Sequence, residues 1–131
     1  MLGSDLYIAQ NIKTLPDYAF KCFRTNEAVR YYSLCDDFGP MNMASIIRFI
    51  ELVDDQLAAS PSKPLVYVAE PGRRNLTNAV FLLGAYMIIK LEYSSQRVAS
   101  RFSWLDQSLV TPFRDATYAT SDFDLTLMDC W

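Results

Sequence analysis

A short apolar segment followed by a long apolar helix constrains the fold more than any other feature of this chain. Residues 65–69, Leu-Val-Tyr-Val-Ala, have no polar face. Such a segment is typical of a strand that is covered on both sides within a mainly parallel sheet. The helix predicted from Asn75 to Leu91 is apolar nearly all round, so we expect it to be central and buried. The pair predicts an α/β fold, with a mainly parallel central sheet flanked by helices.

Weaker signals predict the other elements. Two aromatic, partly alternating segments around a turn indicate two strands, and a third extended segment follows them. Each further helix is expected to begin at a polar residue that can cap it. The strand segments are 6–9, 19–23 and 29–34, the turn is 14–17, and the caps are Asn42, Ser94 or Ser95, and Ser121 or Asp122. With no repeat and no interdomain linker, residues 1–131 are expected to form a single domain.

Composition excludes several classes of function. The chain contains no histidine, so it cannot form a Ser-His-Asp triad or a His-ligated zinc or haem site. Its net charge of −3 argues against nucleic acid as a partner. Cys22, Cys35 and Cys130 lack CxxC spacing, which predicts neither a disulfide framework nor a zinc site. We therefore expect reduced thiols, no metal, no cofactor and a cytoplasmic or nuclear location.

No membrane association is predicted either. Residues 1–5 lack the basic start of a signal peptide. The apolar run from Ala79 to Ile89 is shorter than the ~18 residues that a membrane span requires. Arg73, Arg74 and Lys90 flank that run.

The loop between the apolar strand and the apolar helix has the position of an anion site, because a helix start offers free N–H groups. Neither GxxxxGK[ST] nor GxGxxG occurs in the chain. Aligning Gly72 with the glycine of the cysteine-phosphatase loop HCxxGxxR puts Val68 at histidine, Ala69 at the nucleophile and Asn75 at arginine. Glu70 also adds an anion where phosphate would bind. The loop is not expected to be catalytic.

Four segments in order resemble one known family. They are 37–42 (DFGPMN), 78–86 (NAVFLLGAY), 112–116 (PFRDA) and 125–130 (LTLMDC). Together they resemble the N-terminal domain of the cell-division-cycle-fourteen family of dual-specificity protein phosphatases. The match runs from about residue 5 to the end and is weakest around residues 13–32.

The resemblance implies two tandem phosphatase-like domains, of which this chain would be the first. The second would carry HCxxGxxR, and the chain would be a fragment that ends near the interdomain linker. The first domain would recognise substrate and act as a scaffold, with a degenerate phosphate loop at Ala69, Glu70, Gly72, Arg73, Arg74 and Asn75. Its partners would be the C-terminal catalytic domain of the same chain and phosphoproteins with basic residues. Hydrolysis would proceed in the second domain without a metal.

Three acidic residues near the 36–40 loop are candidates for the substrate groove: Glu27, Asp36 and Asp37. The resemblance places this region at the groove, but a solvated loop with Asp37 in an Asx-turn explains the same residues. Arg73 and Arg74 are interpreted mainly as solvated charges. Arg114 is expected to pair with Asp115. Met128 and Trp131 could form an apolar patch that the second domain covers.

Two rival functions remain. One is a stand-alone enzyme with Cys35 as nucleophile, which the adjacent carboxylates of Asp36 and Asp37 disfavour because they would repel phosphate. The other is a stand-alone phosphopeptide or protein-interaction module that uses Arg73 and Arg74 without catalysis.

Overall fold

The computed structural model describes residues 5–25 and 29–131. Within these ranges lie three strands, four α-helices and a short 3₁₀ turn. The strands are β1 (Leu6–Gln10), β2 (Lys21–Phe23) and β3 (Leu65–Ala69), and the helices are α1 (Met43–Ala59), α2 (Arg73–Leu91), α3 (Ser95–Arg101) and α4 (Leu127–Cys130). The predicted α/β fold class is confirmed.

The sheet has the order β1-β3-β2, and both pairings are parallel. Leu65 aligns with Leu6 on one side and with Lys21 on the other. All five residues of β3 are buried, as its apolar sequence predicts. The first two strands do flank a turn, but they do not pair with each other. Both strands run parallel to β3, one on each side of it. Residues 11–20 therefore form a crossover connection that brings the chain back to the start of β2.

The third extended segment, residues 29–34, forms no strand. A carboxylate organises its end instead, because Asp37 Oδ1 accepts hydrogen bonds from the backbone N–H groups of Leu34 and Cys35. Phe38 forms an isolated antiparallel bridge with Arg114. The prediction of a strand here was wrong.

The helix starts were predicted with mixed success. Asn42 caps α1 by accepting from Ser45 N, and Ser94 caps α3 by accepting from Arg97 N, both as expected. The last helix is capped by Thr126, in a capping box with Asp129, rather than by Ser121 or Asp122. It starts late because Leu125 pairs with Phe113 across an antiparallel bridge.

Helix α2 is the centre of the molecule, with its buried residues running from Leu76 to Met87. It packs against α1, α3, α4 and β3. Gly72, with φ of 105°, lets the chain turn from β3 into this helix, which begins two positions before the predicted Asn75. The β3–α2 loop therefore lies beside the central strand, at the carboxyl edge of the sheet.

Candidate functional site

Amide side chains hold the loop between β3 and α2 in place. Gln10, the last residue of β1, donates from Nε2 to Glu70 O at 2.7 Å and to Gly72 O at 3.1 Å. Asn75 Nδ2 donates to Pro71 O at 2.7 Å. The Asn75 amide group thereby braces the loop from within.

The two loop arginines have partners within the domain. Arg73 Nη2 donates to Val110 O at 2.6 Å. Arg74 pairs with Asp36 at 2.8 Å, and its guanidinium lies 5.4 Å from the centre of the Phe38 ring. Both residues stay exposed, as predicted for solvated charges, but their guanidinium groups are not free.

Asp36 and Asp37, though adjacent, have different surroundings. The side chain of Asp36 is 72% exposed and bridges Arg74 and Arg114, the latter at 3.2 Å. The predicted pair of Arg114 with Asp115 is therefore wrong, because the antiparallel bridge at Phe38 brings Arg114 beside Asp36 instead. Glu27 lies outside the described residues.

Asp37 is buried, and its carboxylate makes its hydrogen bonds within the domain. Its carboxylate accepts from Tyr31 Oη at 2.5 Å and from the N–H groups of Leu34 and Cys35, both at 2.7 Å. In an Asx-turn, the side chain accepts a hydrogen bond from the backbone N–H two residues later in the chain. Here both backbone donors precede Asp37, so the contact is not the expected Asx-turn. The hydrogen bond from Tyr31, together with that from Cys35, holds the pKa of Asp37 well below its ordinary range.

Sequence reasoning missed Gln10 and Tyr31, which position the loop and Asp37. Gln10 lies 60 residues before Glu70 in the sequence. Its place at the carboxyl end of a strand was the only available signal, since parallel strand ends meet at one edge of a sheet. Tyr31 fell within a segment interpreted as a strand.

Comparison with known proteins decides the family. The family model described as "Dual specificity protein phosphatase, N-terminal half" matches residues 5–131. The chain belongs to this family. Its fold is accordingly that of a dual-specificity-phosphatase-like domain, and the resemblance seen in the sequence is confirmed.

The relatives of this N-terminal half are CDC14 phosphatases. The chain is 32% identical to dual specificity protein phosphatase CDC14C of Symphalangus syndactylus and of Homo sapiens over 111 residues, 83% of its length. It is 31% identical to tyrosine-protein phosphatase CDC14 of Saccharomyces cerevisiae over 109 residues, 82% of its length. The match covers 23%, 25% and 20% of these relatives in turn, so the chain spans a quarter of their length or less.

The thiols of this N-terminal half are all unpaired with one another. Burial, and then the neighbouring Asp129 carboxylate, raise the pKa of Cys130. A raised pKa lowers the thiolate fraction and with it nucleophilicity at neutral pH. Among the described residues, no helix is both long and apolar enough to cross a membrane.

Proposed function

We propose that this chain is the substrate-recognition and scaffolding half of a dual-specificity protein phosphatase. It would form one wall of the phosphopeptide groove, and a C-terminal catalytic domain of the same protein would perform hydrolysis. The chain itself would be pseudophosphatase-like.

The observation that carries this proposal is the state of the β3–α2 loop. Val68 and Ala69 stand where a catalytic loop has histidine and cysteine, and Asn75 stands at the arginine position. The amide of Asn75 is engaged by Pro71 O, and Arg74 is engaged by Asp36. A phosphate at this loop would find neither a thiolate nor a free guanidinium fork, which are the groups that such hydrolysis needs.

Among the described acidic candidates, Asp36 fits a groove contact better than Asp37. Asp37 is buried and already accepts three hydrogen bonds, whereas most of Asp36 faces solvent. Arg74 and Arg114 offset part of the Asp36 charge, and exposed ion pairs contribute ~1 kcal/mol or less. We therefore propose that Asp36 contributes modestly to reading a basic residue of the substrate.

The test uses the longer protein that contains this chain. Reading beyond Trp131 should reveal HCxxGxxR within roughly one domain, ~100–200 residues. Catalytic efficiency is then measured on two phosphoserine-proline peptides that carry lysine or alanine downstream. Asp36→Asn should lower kcat/KM for the lysine peptide by about 2- to 5-fold and leave the alanine peptide unchanged.

Asp55→Asn, an exposed substitution on α1, is the matched control and should alter neither peptide. An equal loss on both peptides would show that Asp36 only braces Arg74 and Arg114, and would contradict its place in the groove. Absence of HCxxGxxR downstream would contradict the whole proposal.

A further inference from the structure

A cavity of about 310 Å³ lies between the end of α3 and the start of α4. The residues that line it all fall between 99 and 131, within the part of the chain that the structure describes. Its volume is at the lower end of the ordinary range for small-ligand pockets. The cavity shares no lining residue with the loops 36–40 and 69–75, so the recognition role proposed above does not depend on it.

Most of the cavity wall is apolar. Its large apolar side chains are Phe102, Leu105, Val110, Leu127, Met128 and Trp131. The Trp131 ring stacks on Phe102 with 5.6 Å between the ring centres, and its indole Nε1 donates to Phe81 O at 3.4 Å. Met128 is 47% exposed. An anchored aromatic pair beside a flexible methionine suits a compact apolar ligand.

One carboxylate lies beside this apolar wall. Among the described residues that line the cavity, Asp124 alone is charged. Asp124 is exposed, and within residues 5–25 and 29–131 its side chain makes no ion pair and no hydrogen bond. Asp129, which is close in sequence, already accepts hydrogen bonds from Thr126 in the cap of α4. The charge of Asp124 therefore remains available to a ligand.

The backbone next to Asp124 is held in place. Leu125 and Phe113 exchange two backbone hydrogen bonds, at 2.8 and 3.0 Å. Thr126 follows directly and caps α4. A ligand that pairs with Asp124 does not have to order the segment that carries it, which reduces the entropic cost of binding.

We propose that this cavity binds an organic cation, an ammonium group carried on a compact apolar body. The apolar body packs against Phe102, Leu127 and Trp131, and the ammonium group pairs with the Asp124 carboxylate. An uncharged ligand of the same shape gains the apolar contact without the ion pair. A carboxylate or phosphate is disfavoured, because Asp124 repels it.

The probes are benzylamine, a cation at neutral pH, and two molecules of similar shape, uncharged benzyl alcohol and anionic benzoate. Each is titrated into the ¹⁵N-labelled 131-residue chain while the backbone amides of Leu127 and Met128 and the indole N–H of Trp131 are followed by NMR. Benzylamine should produce saturable shifts at these groups. Benzyl alcohol should bind about 2- to 5-fold more weakly, because an exposed ion pair contributes modestly. Benzoate should bind more weakly still.

Asp124→Asn keeps the shape of the side chain and removes its charge. It should lower the affinity for benzylamine by about 2- to 5-fold and leave that for benzyl alcohol unchanged. Asp122→Asn, the same change at an exposed residue outside the cavity wall, should alter neither. Met128→Ala should weaken both probes by a similar factor, since it removes apolar contact.

Several results would overturn the proposal. These are absence of any saturable shift, equal or tighter binding of benzoate than of benzylamine, and unchanged benzylamine affinity in Asp124→Asn. An equal loss in Asp122→Asn would also overturn it, because the effect would then come from the general charge of the segment. The comparison among the three probes requires no variant, so it decides the matter even if a variant does not fold.

Discussion

Asp36 and Asp37 are neighbours in sequence, yet their carboxylates make quite different contacts. Asp36 joins two arginines at the surface, while Asp37 accepts three hydrogen bonds in the interior. Local sequence indicates an acidic loop and a turn but cannot say which carboxylate points inward. That choice depends on Tyr31 and on the pairing of Phe38 with Arg114.

Asp37 should make the stability of the chain depend on acid. Its pKa is depressed in the folded state below the ordinary 3.8, so it stabilises the fold above that value and loses this effect as the pH falls through its folded pKa. Asp37→Asn should lower the urea midpoint at pH 7 and flatten its decline below about pH 4. The measurement is urea unfolding followed from pH 7 down to pH 2.

The control is Asp55→Asn, which changes an exposed carboxylate on α1 and should leave both the midpoint and its pH profile as in the wild type. If Asp37→Asn retained the full acid dependence of the wild type, the depressed pKa could not be the source of that dependence.

Helix α2 contacts most of the other helices and the central strand. Its Thr77 Oγ1 donates to Arg73 O and accepts from Thr111 N, which ties the helix to the segment before Phe113. Its Gly84 is covered by the indole of Trp131, which also stacks on Phe102 at 5.6 Å. Trp131, the residue that follows α4, thus docks this end of the chain on α2.

Gly84→Ala should destabilise the chain even though alanine is the better helix former. A Cβ at this position would overlap the Trp131 indole. Overpacking of this kind costs about 1–3 kcal/mol, against a gain in helix propensity of up to ~1 kcal/mol. The unfolding free energy from urea titration should therefore fall.

Two further variants isolate the cause. Gly39→Ala should change little, because a Cβ there would make ordinary contact with Tyr31 at 3.5 Å. In a Trp131→Ala background, Gly84→Ala should become neutral or stabilising. An equal cost in both backgrounds would show that the indole is not the obstacle.

For the whole molecule, the sequence predicted the elements better than their arrangement. The uniformly apolar segment 65–69 predicted β3, and the capping residue Asn42 predicted the start of α1, because both signals are local. Strand pairing depends on residues that are far apart in the chain. The sequence around β1 and β2, which follow one another, therefore did not predict that β3 lies between them in the sheet.

For the candidate site too, local features could be predicted from the sequence and contacts between distant residues could not. Residues 68–75 do not match HCxxGxxR, and this can be read from the sequence alone. Arg74 and Asp36 are 38 residues apart in the sequence, and Gln10 and Glu70 are 60 residues apart. Local sequence patterns do not predict contacts over such separations.

In the function proposed above, this N-terminal half takes part in phosphatase action without hydrolysing phosphate itself. The most direct measurement is phosphate release by the purified 131-residue chain from p-nitrophenyl phosphate and from a phosphoserine-proline-lysine peptide. We predict no release above buffer from either substrate, with wild type and Cys35→Ser indistinguishable. Turnover by the wild type that Cys35→Ser abolishes would contradict the claim.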